Sequence, residues 1–375
     1  MGEMVDLNFY KNKKVFVTGH TGFKGSWLCH ILKLAGAEVM GYSLAPQTKP
    51  DLFSLSGLDQ DPHIQTIIGD VRNLEALKKA VVAFQPEIVI HMAAQPIVRD
   101  SYEDPVYTYE TNVMGTVNIL EAVRDCPSVR SFLNVTTDKV YENKEWHWGY
   151  RENEPLDGYD PYSNSKSCSE LVTHSYKKSF FNGADDFSKI ENRGTSISTA
   201  RAGNVIGGGD FANDRIIPDC VRSVLKGETI IVRNPNSTRP YQHVLEPLFA
   251  YLLIAQKQVK KSELADYYNV GPDEADCITT RELVDLFCRE WQQQAGKSQS
   301  WENQNIDGPH EANFLKLDCS KIKSRLGWQP RWNVEQAVEK TVEWTNAYKD
   351  QKNMAAIMKK QIIDFIKTEQ EEQYV

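Results

Sequence analysis

Residues 14–25 read KVFVTGHTGFKG, a β-branched apolar run followed by glycines at positions 19, 22 and 25. The run predicts a buried strand, and the glycines predict a tight turn into the helix-like stretch KGSWLCHILKLAG. In such a strand–turn–helix unit, the N-terminus of the helix can receive a pyrophosphate. The G-x-x-G-x-x-G spacing therefore predicts a dinucleotide-binding turn built on Gly19, Gly22 and Gly25, and the alternative is a turn with only a structural role.

The same alternation of strand and helix continues beyond this turn. Short apolar runs such as AEVMGYSL, IQTIIGDV, EIVIHMAAQ and SFLNVTTD are separated by amphipathic stretches such as LEALKKAVVAF and TNVMGTVNILEAVRD. Continuous apolar strands with helices between them are typical of a parallel sheet covered on both faces. We predict an α/β fold, a Rossmann-type doubly wound parallel sheet.

A change in composition after residue 203 indicates a second, smaller domain. Glycine, proline and arginine dominate GNVIGGGDFANDRIIP and IVRNPNSTRPYQHVLEP. We assign residues 8–203, joined by 235–264, to the dinucleotide-binding domain, and 204–234 with 265–345 to a mixed α/β substrate domain. Residues 346–375 carry apolar side chains at helical spacing and predict a C-terminal amphipathic helix on the body of the protein.

Composition excludes several classes of function. The chain has 375 residues, 41% hydrophobic and 25% charged, with a net charge of −8, which argues against a nucleic-acid surface. No apolar run approaches the roughly 18 residues of a membrane span, and no signal peptide is recognisable. Seven scattered cysteines without a C-x-x-C pair predict free thiols in the cytoplasm, and the histidines lack metal-ligand spacing, so we expect no metal.

The end of the second predicted strand bears on the choice of cofactor. An acid there would bind the ribose 2′-hydroxyl of NAD, but this chain has Tyr42 and Ser43. An arginine for the 2′-phosphate of NADP is missing too. We expect NAD, held less firmly than where an acid is present, with Asp70 as a candidate for the adenine edge.

A tyrosine and a lysine four residues apart follow the nucleotide turn. Tyr162 and Lys166 in YDPYSNSKSCSE would lie on one face of a helix, one turn apart. An ammonium group near a phenol favours the phenolate, so we expect Lys166 to lower the pKa of Tyr162 and make it a base. Thr136 and Thr137, at the end of a predicted strand, could hydrogen-bond to the molecule on which that base acts.

Together these motifs resemble the extended short-chain dehydrogenase/reductases, which are sugar-nucleotide enzymes with a Rossmann domain and a small substrate domain. The matching stretches are GHTGFKG, GDV, HMAAQ, TNVMGT, TTDKVY, YSNSK and RAGNVIGGG, in the family's order over roughly residues 8–345. The resemblance implies NAD, a nucleotide-diphosphate sugar as substrate, and an assembly of at least two copies, a homodimer or a dimer of dimers.

The resemblance also implies roles for individual residues. Thr137, Tyr162 and Lys166 match the family's catalytic positions. The residues implied in NAD binding are Gly19, Gly22, Phe23, Gly25, Asp70, Val71, Ala93, Ala94, Gln95, Thr111, Tyr162 and Lys166. Those expected to contact the substrate are Asn204, Arg215, Arg233, Arg239 and His243.

Asp138 and Lys139 separate the possible activities within the family. In its nucleotide-sugar 4,6-dehydratases, an Asp-Glu pair follows the catalytic threonine and eliminates water, and this chain has Asp138-Lys139. The resemblance therefore implies a dehydratase in which Asp138 is the acid. Lys139 acts either as the base or, if it stays charged, as an electrostatic clamp on an enolate. Alternatives are a sugar-nucleotide 4-epimerase, a catalytically inactive cofactor-binding protein, and, for the pair itself, a solvated loop.

Overall fold

The computed structural model describes residues 5–181, 194–304 and 314–371, with side chains up to residue 368. The strands are β1 (Lys14–Thr18), β2 (Glu38–Ser43), β3 (Ile64–Ile68), β4 (Ile88–His91), β5 (Ser131–Val135), β6 (Ser196–Arg201), β7 (Val205–Ile206), β8 (Ile230–Val232), β9 (Thr238–Pro240), β10 (Gln242–His243), β11 (Tyr267–Asn269), β12 (Cys277–Thr279) and β13 (Trp301–Asn303). The α-helices are α1 (Phe23–Leu34), α2 (Leu52–Leu55), α3 (Leu74–Phe84), α4 (Val98–Glu103), α5 (Pro105–Tyr109), α6 (Gly115–Arg124), α7 (Pro161–Tyr176), α8 (Ile216–Lys226), α9 (Leu245–Lys260), α10 (Thr280–Ala295), α11 (Ser320–Leu326), α12 (Val334–Lys349) and α13 (Met354–Glu371).

Seven strands form one parallel sheet in the order β11-β6-β5-β4-β1-β2-β3. The chain runs outward from β1 to β3 and then returns to build the other half from β4. This reversal between β1 and β4 opens a crevice at the carboxyl ends of the strands, where doubly wound folds bind ligands. The prediction of a Rossmann-type sheet is confirmed.

Helices cover both faces of the sheet. In β1, Val15 and Val17 point into one core with Trp27 of α1, whereas Phe16 points into the other with Leu77 of α3. Alternate side chains of a strand face opposite sides, so apolar residues at every position require a layer of helices on each face. This is why the inner strands β1 and β4 carry apolar side chains at consecutive positions.

A separate, smaller core is built from later parts of the chain. Its apolar side chains come mainly from α8, α10 and α12 and include Val221, Phe287 and Val338. Three short pairs accompany it: β7 with β10, β8 with β13, and antiparallel β9 with β12. The strand β11 lies within the segment predicted for the substrate domain, yet it pairs with β6 at the edge of the central sheet.

The C-terminal helix α13 packs on the body through one apolar face. Met354, Met358, Ile362 and Phe365 are buried at spacings of three or four residues, which places them on the same side of the helix. The ring of Phe365 lies 4.8 Å from that of Phe249 in α9. Across the described ranges, none of the helices is long and apolar enough to cross a membrane.

Candidate active site

The turn after β1 has the geometry of a pyrophosphate site. Gly19 has a positive φ of 77°, and a Cβ there would lie 2.8 Å from the Ala93 backbone nitrogen. Gly25 is equally restricted, because its Cβ would lie 2.2 Å from the Gly19 carbonyl oxygen. Gly22, by contrast, is exposed at the N-cap of α1, with no side-chain cap and no protein atom closer than 3.4 Å to an added Cβ. Its bare surface leaves the helix N-terminus open to an anion.

Other residues expected to bind NAD line the neighbouring strand ends. The backbone N–H of Ala93 donates to Thr18 Oγ1 at 3.1 Å, which fixes the turn after β4 against β1. Ala94 follows in the same turn, and Phe23 begins α1. Thr111 is buried, and its Oγ1 has no hydrogen-bond partner within the described part of the chain. A buried hydroxyl without a partner is costly, so this atom fits a site that a ligand completes.

Two of the predicted cofactor residues are engaged within the protein. The Asp70 carboxylate accepts hydrogen bonds from the Arg72 guanidinium at 2.7 and 3.0 Å, which holds the pKa of Asp70 below its usual value against the opposing effect of burial. The Gln95 amide donates to Thr108 Oγ1 and the Ile97 carbonyl.

Val71, another residue expected to bind NAD, is buried against residue 115. It restricts that position to glycine, because a Cβ there would lie 2.9 Å from the Val71 side chain.

The end of β2 offers the cofactor a hydroxyl instead of a carboxylate. Ser43 Oγ lies 2.9 Å from Thr21 Oγ1, so the last side chain of β2 is tied to the glycine turn. This arrangement leaves the position expected for a ribose-binding acid uncharged, as the sequence predicted.

The Asp138 carboxylate is buried, and each of its oxygens accepts a hydrogen bond. Thr137 Oγ1 donates to Oδ1 at 2.9 Å, and Asn204 Nδ2 donates to Oδ2 at 2.9 Å. Asp138 is only 1% exposed, and it sits so close to Gly203 that a Cβ there would lie 2.0 Å from its carboxyl carbon. Lys139 is half-buried beside it, and its backbone N–H donates to Thr137 Oγ1 at 3.4 Å. A solvated surface loop would show none of these contacts.

Tyr162 is half-buried, and its side chain lies near both this carboxylate and Thr137. Burial raises the pKa of Tyr162 to about 12, while Thr137 and the Arg215 guanidinium act in the opposite direction. The expectation that Lys166 lowers this pKa below its ordinary value is therefore wrong for the protein alone. Desolvation of the phenolate outweighs the nearby cations, so Tyr162 is a phenol at neutral pH.

Lys166 is buried in a network of polar groups. Its ammonium donates to the Val135 carbonyl at 3.2 Å, and burial lowers its pKa to about 8 although the Glu170 carboxylate raises it. Glu170 also accepts from Thr136 Oγ1 at 2.5 Å and pairs with Arg201 at 2.9 Å. Thr136, which the sequence placed against the substrate, instead connects the end of β5 to this buried ion pair.

Lys24, Asp210 and Tyr251 belong to the same cluster and were missed from the sequence. Lys24 Nζ lies 3.4 Å from the Tyr251 hydroxyl. Burial lowers the pKa of Lys24 to about 8, with contributions from the cations Arg215 and Lys166. Arg215 pairs with Asp210 at 2.9 Å. The available signal was Lys24 itself, because a cation in the first turn of a helix opposes the helix dipole and needs another reason to be there.

The remaining residues predicted to contact substrate lie outside this cluster. Arg233 is paired with Asp214 at 2.5 Å and Asp219 at 3.0 Å. Arg239 is buried and donates to the Thr238 carbonyl. His243 is fully buried, with its ring 4.9 Å from that of Trp332, which favours a packing role over contact with a ligand.

The arrangement at the carboxyl edge of the sheet combines four chemical capacities. A helix N-terminus is open to a pyrophosphate, a phenol lies near a buried carboxylate, a lysine follows the carboxylate, and an arginine lies near the phenol. Such a site can move protons at adjacent carbons of a substrate while a bound dinucleotide exchanges hydride.

Comparison with known proteins agrees with this geometry. Residues 16–341 match the model of the GDP-mannose 4,6 dehydratase family, and the chain belongs to that family. It is 47% identical over 364 residues to CDP-glucose 4,6-dehydratase of Salmonella typhimurium, covering 97% of this chain and 99% of the relative.

Solved structures with the same fold include complexes with NAD. UDP-glucose 4-epimerase of Thermus thermophilus in complex with NAD is 25% identical, with a TM-score of 0.73 over 89% of this chain and 99% of that one. dTDP-glucose 4,6-dehydratase of Bacillus anthracis in complex with NAD is 22% identical, with a TM-score of 0.73 over 92% of this chain and 99% of that one. The second likeness supports the fold alone.

Proposed function

We propose that this protein removes water from CDP-glucose and forms CDP-4-keto-6-deoxyglucose by internal hydride transfer from C4 to C6, as a hydro-lyase that uses NAD catalytically. The observation that carries the proposal is the buried Asp138 carboxylate, held by Thr137 and Asn204 beside Tyr162. An epimerase has no need of a group that protonates a leaving hydroxyl at C6. The 47% identity to a CDP-glucose 4,6-dehydratase over nearly the whole chain supports the same substrate.

The glycine turn and the strand ends would hold NAD. Gly22 and the first turn of α1 would receive the pyrophosphate, Ser43 would face the ribose, and Thr111 would give its unpartnered hydroxyl to the ligand. When bound, NAD accepts the hydride from C4 of the sugar and supplies it to C6.

The protein's own residues would accept and donate the protons of the reaction. Tyr162, as the phenolate, removes the proton of the C4 hydroxyl, and the resulting ketone acidifies the proton on C5. Lys139 takes that proton or stabilises the enolate, and Asp138 protonates the departing C6 hydroxyl. General acid and base steps of this kind each contribute about 10²–10⁴ in rate.

Recognition of the substrate diphosphate would use arginines. Arg215 lies in the reaction cluster, so we assign it to the sugar end, near Tyr162. Arg233 is half-buried and paired with the carboxylates of Asp214 and Asp219. Its guanidinium could exchange these carboxylates for a phosphate of the substrate, since guanidinium groups bind carboxylates and phosphates in the same bidentate geometry. The segments 204–234 and 265–345, apart from β11, would form the substrate domain.

We also propose a homodimer. Val106 of α5, Leu171 of α7 and Met114 between them are 67%, 54% and 49% exposed, although all are large and apolar. These helices neighbour one another, and a second copy of the same face would cover them. Light scattering should give a dimer or a multiple of it, and Leu171→Glu should shift the population towards monomer.

The activity is tested by incubating the protein and NAD with CDP-, UDP-, dTDP- and GDP-glucose. The alkali-induced absorbance of a 4-keto-6-deoxy sugar should appear fastest with CDP-glucose. Asp138→Asn should slow product formation by about 10²–10⁴-fold, because an amide of the same size cannot deliver a proton. Conversion of a nucleotide sugar to its C4 epimer without water loss would reject the dehydratase in favour of the epimerase.

A further inference from the structure

Asn204 holds one oxygen of the Asp138 carboxylate. Its Nδ2 donates to Oδ2 at 2.9 Å, while Thr137 Oγ1 donates to Oδ1 at 2.9 Å. A carboxylate oxygen only accepts hydrogen bonds, so the amide nitrogen of Asn204, and not the amide oxygen, must face it. A residue that the sequence predicted to contact the substrate therefore directs its amide donor at the proposed general acid.

The backbone at Asn204 is shaped for this contact. Its φ of 48° lies in the left-handed region, which asparagine adopts more readily than most residues. Gly203, the preceding residue, lies so close to the carboxylate that an added Cβ would be 2.0 Å from its carboxyl carbon. Asp138 is thus in contact with a bare glycine backbone and with the side chain that follows it.

Gln242 of β10 anchors the Gly203–Asn204 segment. Its backbone N–H donates to the Asn204 carbonyl at 3.2 Å. Its Nε2 donates to the carbonyls of Gly203 at 3.3 Å and Val270 at 3.0 Å. The side chain is buried, and its Oε1 has no hydrogen-bond partner in the described part of the chain. An unpaired buried acceptor is costly, so the donors of this amide are what explain its presence, and they fix the backbone that carries Asn204.

We infer that Asn204 is a positioning residue for the elimination of water, and that it acts through Asp138 instead of contacting the substrate. This inference rests on the proposed function. The amide nitrogen can donate but not accept, whereas the Thr137 hydroxyl can do both. Oδ2 is therefore fixed as an acceptor, which favours Oδ1 as the oxygen that carries the hydrogen for the C6 hydroxyl. That hydrogen leaves Oδ1 as the C6–O bond breaks, water departs, and a proton from solvent restores the carboxyl before the next turnover.

This role confines the effect of Asn204 to one step of the reaction. Oxidation at C4 uses Tyr162 and the cofactor, and it needs no hydrogen from Asp138. Loss of the C6 hydroxyl comes later and does need that hydrogen. A substrate contact would instead change binding, and a purely structural residue would slow both steps alike, so kinetics distinguish the three roles.

The test is a single turnover of the protein loaded with NAD and mixed with CDP-glucose, in which reduced nicotinamide is followed as it forms and decays. Asn204→Gly keeps the left-handed backbone and removes the amide. We expect its KM and the rate of formation to stay within about threefold of wild type, and the decay to slow by about 10–10²-fold, the worth of one hydrogen bond to a charged group. Reduced cofactor should therefore accumulate. Asn12→Gly is the matched control and should match wild type in both phases, because Asn12 is also left-handed, with a φ of 62°, but is exposed before β1.

A second substrate, CDP-6-deoxy-6-fluoroglucose, removes the need for the acid. Fluoride leaves as an anion without receiving a proton, and the return of hydride to C6 gives the same 4-keto-6-deoxy product. With this substrate, the decay phase of Asn204→Gly should return to the wild-type rate. Gln242→Met removes the anchoring amide at similar size, so with CDP-glucose it should slow the decay phase more than the formation phase. It supplies the same comparison should Asn204→Gly not fold.

Two results would overturn the inference. One is a folded Asn204→Gly whose KM rises about tenfold or more while the decay rate is unchanged, which assigns Asn204 to the substrate. The other is an equal slowing of decay with CDP-glucose and with its 6-fluoro analogue, which reduces Asn204 to a structural residue. A wild type that makes no 4-keto-6-deoxy product from CDP-glucose would instead refute the proposed function.

Discussion

Gly203→Ala should displace the Asp138 carboxylate, the proposed general acid, without changing its chemical identity. The new Cβ would lie 2.0 Å from Cγ and Oδ1 of Asp138 and 2.1 Å from Oδ2, well inside the roughly 3.5–4.0 Å of a favourable contact. The carboxylate must therefore move by about 1 Å or more. Its 2.9 Å bonds from Thr137 and Asn204 cannot both survive such a shift.

The free-energy cost of this displacement can be estimated from the two hydrogen bonds. A hydrogen bond to a charged group contributes about 1.5–3 kcal/mol, so losing both amounts to about 3–6 kcal/mol. Loss of one general acid slows a reaction by about 10²–10⁴, or about 3–5 kcal/mol in the barrier. The first figure is a loss of stability in the folded site; the second predicts that formation of the 4-keto-6-deoxy product falls by at least 10²-fold.

Gly271→Ala is the matched control, because its Cβ would meet nothing closer than Cys319 Sγ at 3.5 Å. Both variants should be assayed with CDP-glucose, and circular dichroism should verify that each is folded. If folded Gly203→Ala forms product within threefold of the wild-type rate, Asp138 does not act as the acid from the position described.

Three further predictions concern other groups. Tyr162→Phe should lower turnover by at least 10²-fold while leaving the melting temperature nearly unchanged. Activity within tenfold of wild type would reject Tyr162 as the base. Ser43→Asp should tighten NAD binding by about one to two decades in calorimetry, since a carboxylate adds about 1.5–3 kcal/mol at the ribose; tight NAD retention by wild type after dialysis would contradict this. Burial raises the pKa of Glu246 to about 7 from 4.5, so the folded state binds its proton more tightly and this group's contribution to stability falls as pH rises from 5 to 8, by about 2–3 kcal/mol. Urea unfolding of Glu246→Gln should lack that fall, and an unchanged pH dependence would refute the assignment.

Much of the site could be predicted from local sequence patterns. The glycine turn, Asp138 and Lys139 after a buried strand, and the Tyr162–Lys166 pair all depend on neighbours close in sequence. The carboxyl ends of parallel strands share one edge of a sheet, so predicting the strands already brought these motifs together. Asn204 and Arg215 were predicted as substrate contacts, and the structure adds their relation to Asp138 and Tyr162.

Other features depended on contacts that no local pattern encodes. Arg233 pairs with Asp214 and Asp219, and His243 packs against Trp332, because chain segments distant in sequence meet there. The strand β11 joins the sheet from a segment assigned to the other domain, since pairing with β6 satisfies its backbone groups.

The order of strands and helices, the nucleotide turn and the identity of the reacting groups were determined by the sequence itself, because hydrophobic period, glycine conformation and side-chain chemistry are properties of short segments. The tertiary structure decided the surroundings of those groups. Desolvation raises the pKa of Tyr162, and the extent of desolvation is set by the whole fold. The contacts of the Asp138 carboxylate with Asn204 and Gly203 are likewise a product of segments that are distant in sequence and meet in space.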